Sequence, residues 1–190
     1  MKLEFFYDLS SPYSYLAATQ LEALAARTQA ELVWRPMVLG AVHKATGNDM
    51  PARVAQKALW MWKDLNRWAD QYGVPFRMSS HFPANTVNAM RLCLVADDAG
   101  KAAPVTLAAF RAMWVDDLDL ADANVIAQLA AGYDLDATAI GRQEIKDRLR
   151  ANTDDAVRRG AFGAPAFFVG DELFWGNDRL HQVERALQRT

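Results

Sequence analysis

A single cysteine, Cys93, is the whole thiol content of these 190 residues. No intrachain disulfide can form. No apolar run approaches the roughly 18 residues of a membrane-spanning helix, so none is predicted. Neither charge sign dominates: 21 Lys and Arg face 23 Asp and Glu, for a net charge of −2, and no long block carries one sign. Nucleic acid and anionic membrane are therefore poor candidates for partners. The 3 histidines, His43, His81 and His181, stand at no metal-ligand spacing. No P-loop and no dinucleotide-binding fingerprint is present. The opening Met1-Lys2-Leu3-Glu4-Phe5 has no apolar signal core, so a reducing cytoplasm is the expected setting.

What is there is a helix-rich chain long enough for one domain, or one domain with a large insertion. It can bury roughly 70% of its unfolded surface without a disulfide or metal staple. Leu3 to Tyr7 reads as a short buried strand, Pro12 to Arg27 as a helix and Glu31 to Arg35 as a second strand, a right-handed βαβ unit. From about residue 37 to 160 no convincing strand is found. Gly40 to Asn48 reads as a loop with some local helix, and Pro51 to Tyr72 as one long helix. Its Leu59-Trp60-Met61-Trp62 is apolar on all sides, which predicts packing on more than one face; Trp60, Trp62 and Trp68 are read as packing the helical block, with the lining of an aromatic substrate pocket by one or more of them as the alternative. Pro83-Ala84-Asn85 is read as opening the next helix, and Asp122 and Asp136 as capping later ones. Strands return at Pro165 to Val169 and Glu172 to Trp175, joined by the turn Gly170-Asp171. Asn177 or Asp178 then caps a last helix.

The junction Ser11-Pro12-Tyr13-Ser14 is the most informative stretch. Pro12 suits a first helical turn, where its missing N–H would have had no partner. Ser11 falls at or beside the N-cap, next to free backbone N–H groups that attract negative charge. The order β-α-β, helices, β-β-α resembles the thioredoxin arrangement. The expected fold is α/β: a thioredoxin-like domain of residues 1–36 and 161–190, with an all-helical insertion over 37–160. In thioredoxin-type proteins a Cys-x-x-Cys pair sits at this junction. Here both ends are Ser, which implies that the sulfur arrives with a ligand. Resemblance to that fold also implies a cis bond before Pro165, against the plainer reading of a proline that starts an edge strand.

A narrower resemblance follows from four segments. Phe6-Tyr7-Asp8 with Ser11-Pro12-Tyr13-Ser14-Tyr15-Leu16, Gly47-Asn48 with Lys57, Phe162-Gly163-Ala164-Pro165, and Trp175-Gly176-Asn177-Asp178-Arg179-Leu180 resemble kappa-class glutathione transferases and the related 2-hydroxychromene-2-carboxylate isomerases. Asp64-Leu65-Asn66-Arg67-Trp68-Ala69, Tyr72-Gly73-Val74-Pro75 and Trp175-Gly176-Asn177-Asp178 look more like the bacterial isomerases. The resemblance implies glutathione as cofactor, a small aromatic carboxylate as substrate, and a homodimer.

It also implies roles. Ser11 would hydrogen-bond the glutathione sulfur and hold it as a thiolate; its plainer role is a helix cap. The backbone of Ala164 would pair with the cysteinyl part. Asp178 would accept from the γ-glutamyl ammonium, Asn177 would stand beside it, and Trp175 and Gly176 would line the same pocket. Asn48 and Lys57 would bind the glycyl end. A free thiol with a pKa near 8.5 is only about 3% ionised at pH 7; lowering it by one to two units raises that to about 25–75%. A helix terminus and one hydroxyl can supply such a shift. For the substrate carboxylate the candidates are Arg35, His43 and Asn85. Cys93, among Ala89, Met90, Leu92 and Ala96, reads as core rather than nucleophile. The implied activity is glutathione-dependent isomerisation in naphthalene-type breakdown. A conjugating transferase and an idle glutathione- or peptide-binding module are the alternatives.

Overall fold

The computed structural model describes residues 1–189. Four strands, β1 (Lys2–Tyr7), β2 (Glu31–Pro36), β3 (Ala166–Val169) and β4 (Glu172–Trp175), form one sheet in the order β2-β1-β3-β4. β1 and β2 are parallel, with helix α1 (Pro12–Thr28) as their crossover. β3 runs antiparallel to β1 and turns through Gly170-Asp171 into β4. All the sheet residues come from the two ends of the chain; among the described residues, none between 37 and 165 is in a strand.

Strand alternation sends β1 side chains to opposite faces. Leu3, Phe5 and Tyr7 join the larger core with α1 and the middle helices. Phe5 stacks between Tyr7 and Phe167, at centroid distances of 5.0 and 5.3 Å. Phe6 faces the other way, into a smaller core with Met37, Val42, Ala156 and Phe168.

The middle helices are α2 (Leu39–Thr46), α3 (Ala55–Tyr72), α4 (Val87–Asp98), α5 (Ala102–Trp114), α6 (Ala123–Ala131) and α7 (Gln143–Arg158), before the terminal α8 (Leu180–Leu187). Several expectations are corrected. The stretch read as a loop from Gly40 is the two-turn helix α2. The long helix does not start at Pro51: Pro51–Arg53 is a separate 3-10 turn, and extended backbone at Val54 breaks the two. Pro83 does not open α4; it follows a cis bond from Phe82, and the helix starts only at Val87. The apolar segment of α3 is not packed all round. Leu59, Trp60 and Trp62 are 69%, 57% and 49% exposed, while only Met61 of the four is buried. The core face of α3 runs instead through Met61, Leu65 and Ala69, at helical spacing. Of the tryptophans expected to fill the block, only Trp68 packs on the core.

α7 is bolted to the far face of the sheet by ion pairs. Arg35 reaches Glu4 at 2.6 Å and Asp155 at 3.1 Å, and Arg159 reaches the other Glu4 oxygen at 2.7 Å. Arg159 lies over the Phe168 ring, 3.8 Å from its centroid. Burial alone would push the Glu4 carboxyl up; the hydrogen bonds from Arg159 and Arg35 outweigh it and hold it below the usual 4.5. Such a group stabilises the fold above its unfolded pKa, and the contribution is lost as pH falls through the folded value. Glu4→Gln is expected to cost about 2 kcal/mol at pH 7, between exposed and fully buried pairs. In urea unfolding the gap between variant and parent should close as pH falls below 4.5.

Candidate active site

The site begins where β1 ends. The Ser10 N–H donates to Asp8 Oδ1 at 2.9 Å and the Ser11 N–H to the Asp8 carbonyl at 2.9 Å, a tight turn. The buried Trp114 indole donates to the Leu9 carbonyl at 2.9 Å and pins the same loop. Ser11 is thereby set as N-cap of α1, its Oγ accepting from the Ser14 N–H at 3.1 Å, with Pro12 as first helical residue. The Ser11 hydroxyl can itself donate to the Ala164 carbonyl, but at 3.5 Å, the weak limit of such a bond. Its proton is thus free to turn to a stronger acceptor, beside a helix N-terminus that favours an anion.

Ser14, at the other end of the motif, is different. Its hydroxyl is fully buried and has no hydrogen-bond partner. An unmet buried hydroxyl costs about 1–3 kcal/mol. Ser14→Ala is therefore expected to leave stability unchanged or raise it by about 1 kcal/mol. A shifted urea midpoint at constant slope would measure this; a large loss of stability would show a partner for the hydroxyl.

Across from Ser11, the Ala164–Pro165 bond is cis, and the Pro165 carbonyl accepts from the Gly176 N–H at 3.0 Å. A Cβ at Gly163 would lie 2.6 Å from Trp175 Nε1, so only glycine admits the indole there. The half-exposed Trp175 ring lies 4.9 Å from that of Phe162. Asn48, after α2, donates through Nδ2 to the Phe162 carbonyl at 2.8 Å. Ser11, Ala164, Trp175 and Asn48 are therefore joined through one loop. Lys57 stands exposed in the first turn of α3, without an ion pair among the described residues.

Asn177 and Asp178 do not cap α8. They lie in a 3-10 turn, Asn177–Arg179, entered from Gly176, and α8 follows at Leu180. Asn177 is buried, and the Tyr72 hydroxyl donates to its carbonyl at 3.1 Å. Asp178 pairs with Arg179. Beside it a groove of about 240 Å³ runs between α1, α3 and α8, lined in part by Trp68, Tyr72 and His181.

Two acidic residues gain a place that the sequence reading did not assign. Asp64 on α3 accepts from the Tyr13 hydroxyl at 2.8 Å. Burial, this hydrogen bond and the Asp64 and Asp178 charges push the Tyr13 hydroxyl far above its usual value. Two carboxylates thus flank the first turn of α1, a setting suited to an ammonium group. The available signal was the spacing of Lys57 and Asp64, seven residues or two turns apart on one helix face. Asp8 is the second. Burial pushes its carboxyl up, against hydrogen bonds from the Leu39 and Ser10 N–H groups and the Thr86 hydroxyl.

Of the substrate-side candidates, Arg35 is corrected. It sits on the far face of the sheet over Phe6, its Nη1 on Glu4 and Asp155 and its Nε and Nη2 on Asn152. Strand alternation turned it away from the site. His43 is half-buried on α2; burial pushes its pKa down, against the Asp49 and Asp8 charges, so it is a neutral donor rather than a cation at pH 7. Asn85 is exposed just before α4, and its Oδ1 accepts from the Val87 N–H at 3.2 Å. Cys93 is buried, and its thiol is pushed up to about 11, chiefly by burial. Among the described residues no group of His, Cys, Asp and Glu could hold a metal.

Comparison with known proteins agrees with this geometry. The family model of the DSBA-like thioredoxin domain matches residues 2–188. The chain is 35% identical over 195 residues to a 2-hydroxychromene-2-carboxylate isomerase of Sphingobium xenophagum, covering 97% of each chain. It is 32% identical to the isomerase of Pseudomonas putida, covering all of this chain and 95% of the relative. Glutathione S-transferase kappa 1 of Rattus norvegicus is 28% identical, over 94% of this chain and 87% of the relative. A solved 2-hydroxychromene-2-carboxylate isomerase superposes with a TM-score of 0.91 at 28% identity, covering 100% of this chain and 95% of that one. The chain belongs to the 2-hydroxychromene-2-carboxylate isomerase family, built on a DsbA-like thioredoxin domain.

Proposed function

We propose that this protein is a glutathione-dependent isomerase interconverting 2-hydroxychromene-2-carboxylate and trans-o-hydroxybenzylidenepyruvate, in the breakdown of naphthalene-type aromatics. The observation that carries it is the weakly engaged Ser11 hydroxyl at a helix N-terminus, opposite the Ala164 carbonyl that precedes the cis Pro165, in a chain whose one thiol is buried and raised well out of reach of ionisation at pH 7. The residues fit glutathione: Ser11 for its sulfur, the Ala164 backbone for its cysteinyl part, and Asp178 with Asp64 for its ammonium. Asn177, Gly176 and Trp175 shape that end of the pocket, and Asn48 and Lys57 take the glycyl end. When bound, glutathione supplies a thiolate that adds reversibly to the unsaturated substrate and leaves again, allowing rotation about a former double bond. Ser11 holds the sulfur ionised, and the first turn of α1 adds its N–H groups. His43 and Asn85, near the Asp8 loop, are the remaining candidates for the substrate carboxylate.

On this reading residues 1–36 and 161–190 form the glutathione-binding domain, and the 37–160 insertion walls the substrate side. The higher identity to isomerase relatives, 35% and 32% against 28% for kappa-class transferases, supports the isomerase over the conjugating transferase. A homodimer belongs to the same reading, with the exposed Leu59, Trp60 and Trp62 of α3 available to a second copy. So does a reducing cytoplasm. No helix is long and apolar enough to cross a membrane among the described residues.

The test is a spectrophotometric isomerase assay with and without glutathione. Catalytic amounts of glutathione should suffice. An adduct accumulating one-for-one with substrate loss would make the protein a transferase, and binding without turnover a binding module. Lys57→Met should raise the glutathione concentration for half-maximal rate and leave the saturated rate nearly intact, because its contact is remote from bond making. A lowered saturated rate at unchanged affinity would place Lys57 in the chemistry.

A further inference from the structure

Asp8 is the one carboxylate buried from solvent among the described residues, 5% exposed, and no Lys or Arg pairs with it. Three donors converge on it instead. The Ser10 N–H and the Thr86 hydroxyl reach Oδ1 at 2.9 and 2.7 Å, and the Leu39 N–H reaches Oδ2 at 2.8 Å. Val38 and Thr86 stand at the N-cap positions of α2 and α4, yet neither side chain caps its own helix. Asp8 takes the first N–H of α2, and the Thr86 hydroxyl is turned onto Asp8. The Asp8 carbonyl meanwhile accepts from the Ser11 N–H at 2.9 Å. One residue therefore joins the starts of α1, α2 and α4.

We propose that Asp8 is the positioning residue of this site: its carboxylate fixes the turn that presents the Ser11 hydroxyl and clamps α2 and α4 around it. This rests on the glutathione reading above. Two of the three partners are N–H groups, which only donate, and an ionised carboxylate receives all three with no donor of its own to misplace. An amide at this position cannot do so. In either orientation its NH2 faces the N–H of Leu39 or of Ser10. His43 on α2 is the titratable group that acts on Asp8, favouring its carboxylate once protonated at lower pH.

The sign of one measurement separates positioning from charge. Neutralising a buried anion near the sulfur would by itself favour the thiolate and lower its pKa. Losing the turn that aims Ser11 raises it. Asp8→Asn with saturating glutathione is expected to raise the apparent pKa of the bound thiol, read by thiolate ultraviolet absorbance, by about half a unit. That is about a threefold loss of thiolate well below the pKa, with a matching fall in saturated rate. A fall in pKa, or no change, overturns the proposal. Thr86→Val removes one donor and leaves the charge; it should shift the pKa the same way by less, and Thr86→Ser should restore the parent value. These two variants decide the matter if Asp8→Asn does not fold. If the parent protein shows no thiolate signal with glutathione, the glutathione reading fails. The clamp is then judged in the ligand-free protein, where the Ser10 or Leu39 amide must exchange faster in Asp8→Asn; unchanged exchange at both overturns it.

Discussion

Ser11→Ala is expected to raise the apparent pKa of the bound thiol by about one unit and, from a thiol about 25–75% ionised, to lower turnover at pH 7 about three- to eightfold. One unit is about 1.4 kcal/mol, within the worth of a hydrogen bond to a charged group. The hydroxyl is available for that bond because its only acceptor among the described residues, the Ala164 carbonyl, lies 3.5 Å away. The effect stops short of complete loss because α1 keeps its N-terminal N–H groups after the substitution. A second cost falls on stability. The Ser14 N–H loses its 3.1 Å bond to Ser11 Oγ, worth about 1 kcal/mol as an N-cap. The two effects are read separately: a loss of stability moves the urea unfolding midpoint, whereas loss of the sulfur contact shifts the pH–rate profile of the saturated enzyme to higher pH. A variant with unchanged thiol pKa and unchanged turnover would leave Ser11 a helix cap and nothing more.

Gly176→Ala should have the largest combined effect on stability and binding. Gly176 sits at φ 100°, ψ 146°, a region that side chains rarely enter, at a cost of about 1–3 kcal/mol. An added Cβ would also lie 2.4 Å from Asp178 Oδ1, so that carboxylate must move. Together these are expected to cost about 2–3 kcal/mol and lower Tm by about 5–10 °C. The displaced Asp178 should weaken glutathione binding about tenfold, one charge-assisted hydrogen bond's worth. Gly141→Ala is the control, because nothing lies within 4 Å of a Cβ there and its φ is ordinary. Calorimetric titration at a temperature where both variants are folded separates the binding loss from the folding loss. Parent-like affinity in Gly176→Ala would remove Asp178 from the site.

Much of this was local and therefore legible. The alternation of Leu3, Phe5 and Tyr7 against Phe6 specifies a strand buried on both faces, and Ser11-Pro12 specifies a helix start, because caps and strand periods are properties of neighbouring residues. The turn Gly170-Asp171 and the caps Asp122 and Asp136 were readable for the same reason. The boundaries of α2, α3, α4 and α8 depart from the sequence pattern through local turns. Residue type alone does not place Arg35, Leu59, Trp60 and Trp62, because which way a strand or helix face turns depends on what packs against it. Arg35 lies one pleat away from the site and meets Glu4, whose partner strand position is known only once β1 and β2 pair. Asp8 and Asp64 show the converse. Each looked like an ordinary acid in sequence, and each owes its role to donors 31, 78 or 51 residues distant. The sequence by itself determined the strands, the Ser11 cap and the lack of a reactive thiol. The assembly of Ser11, Ala164, Trp175 and Asn48 around one loop was decided by tertiary structure alone, because burial and long-range hydrogen bonds exist only after the chain has closed.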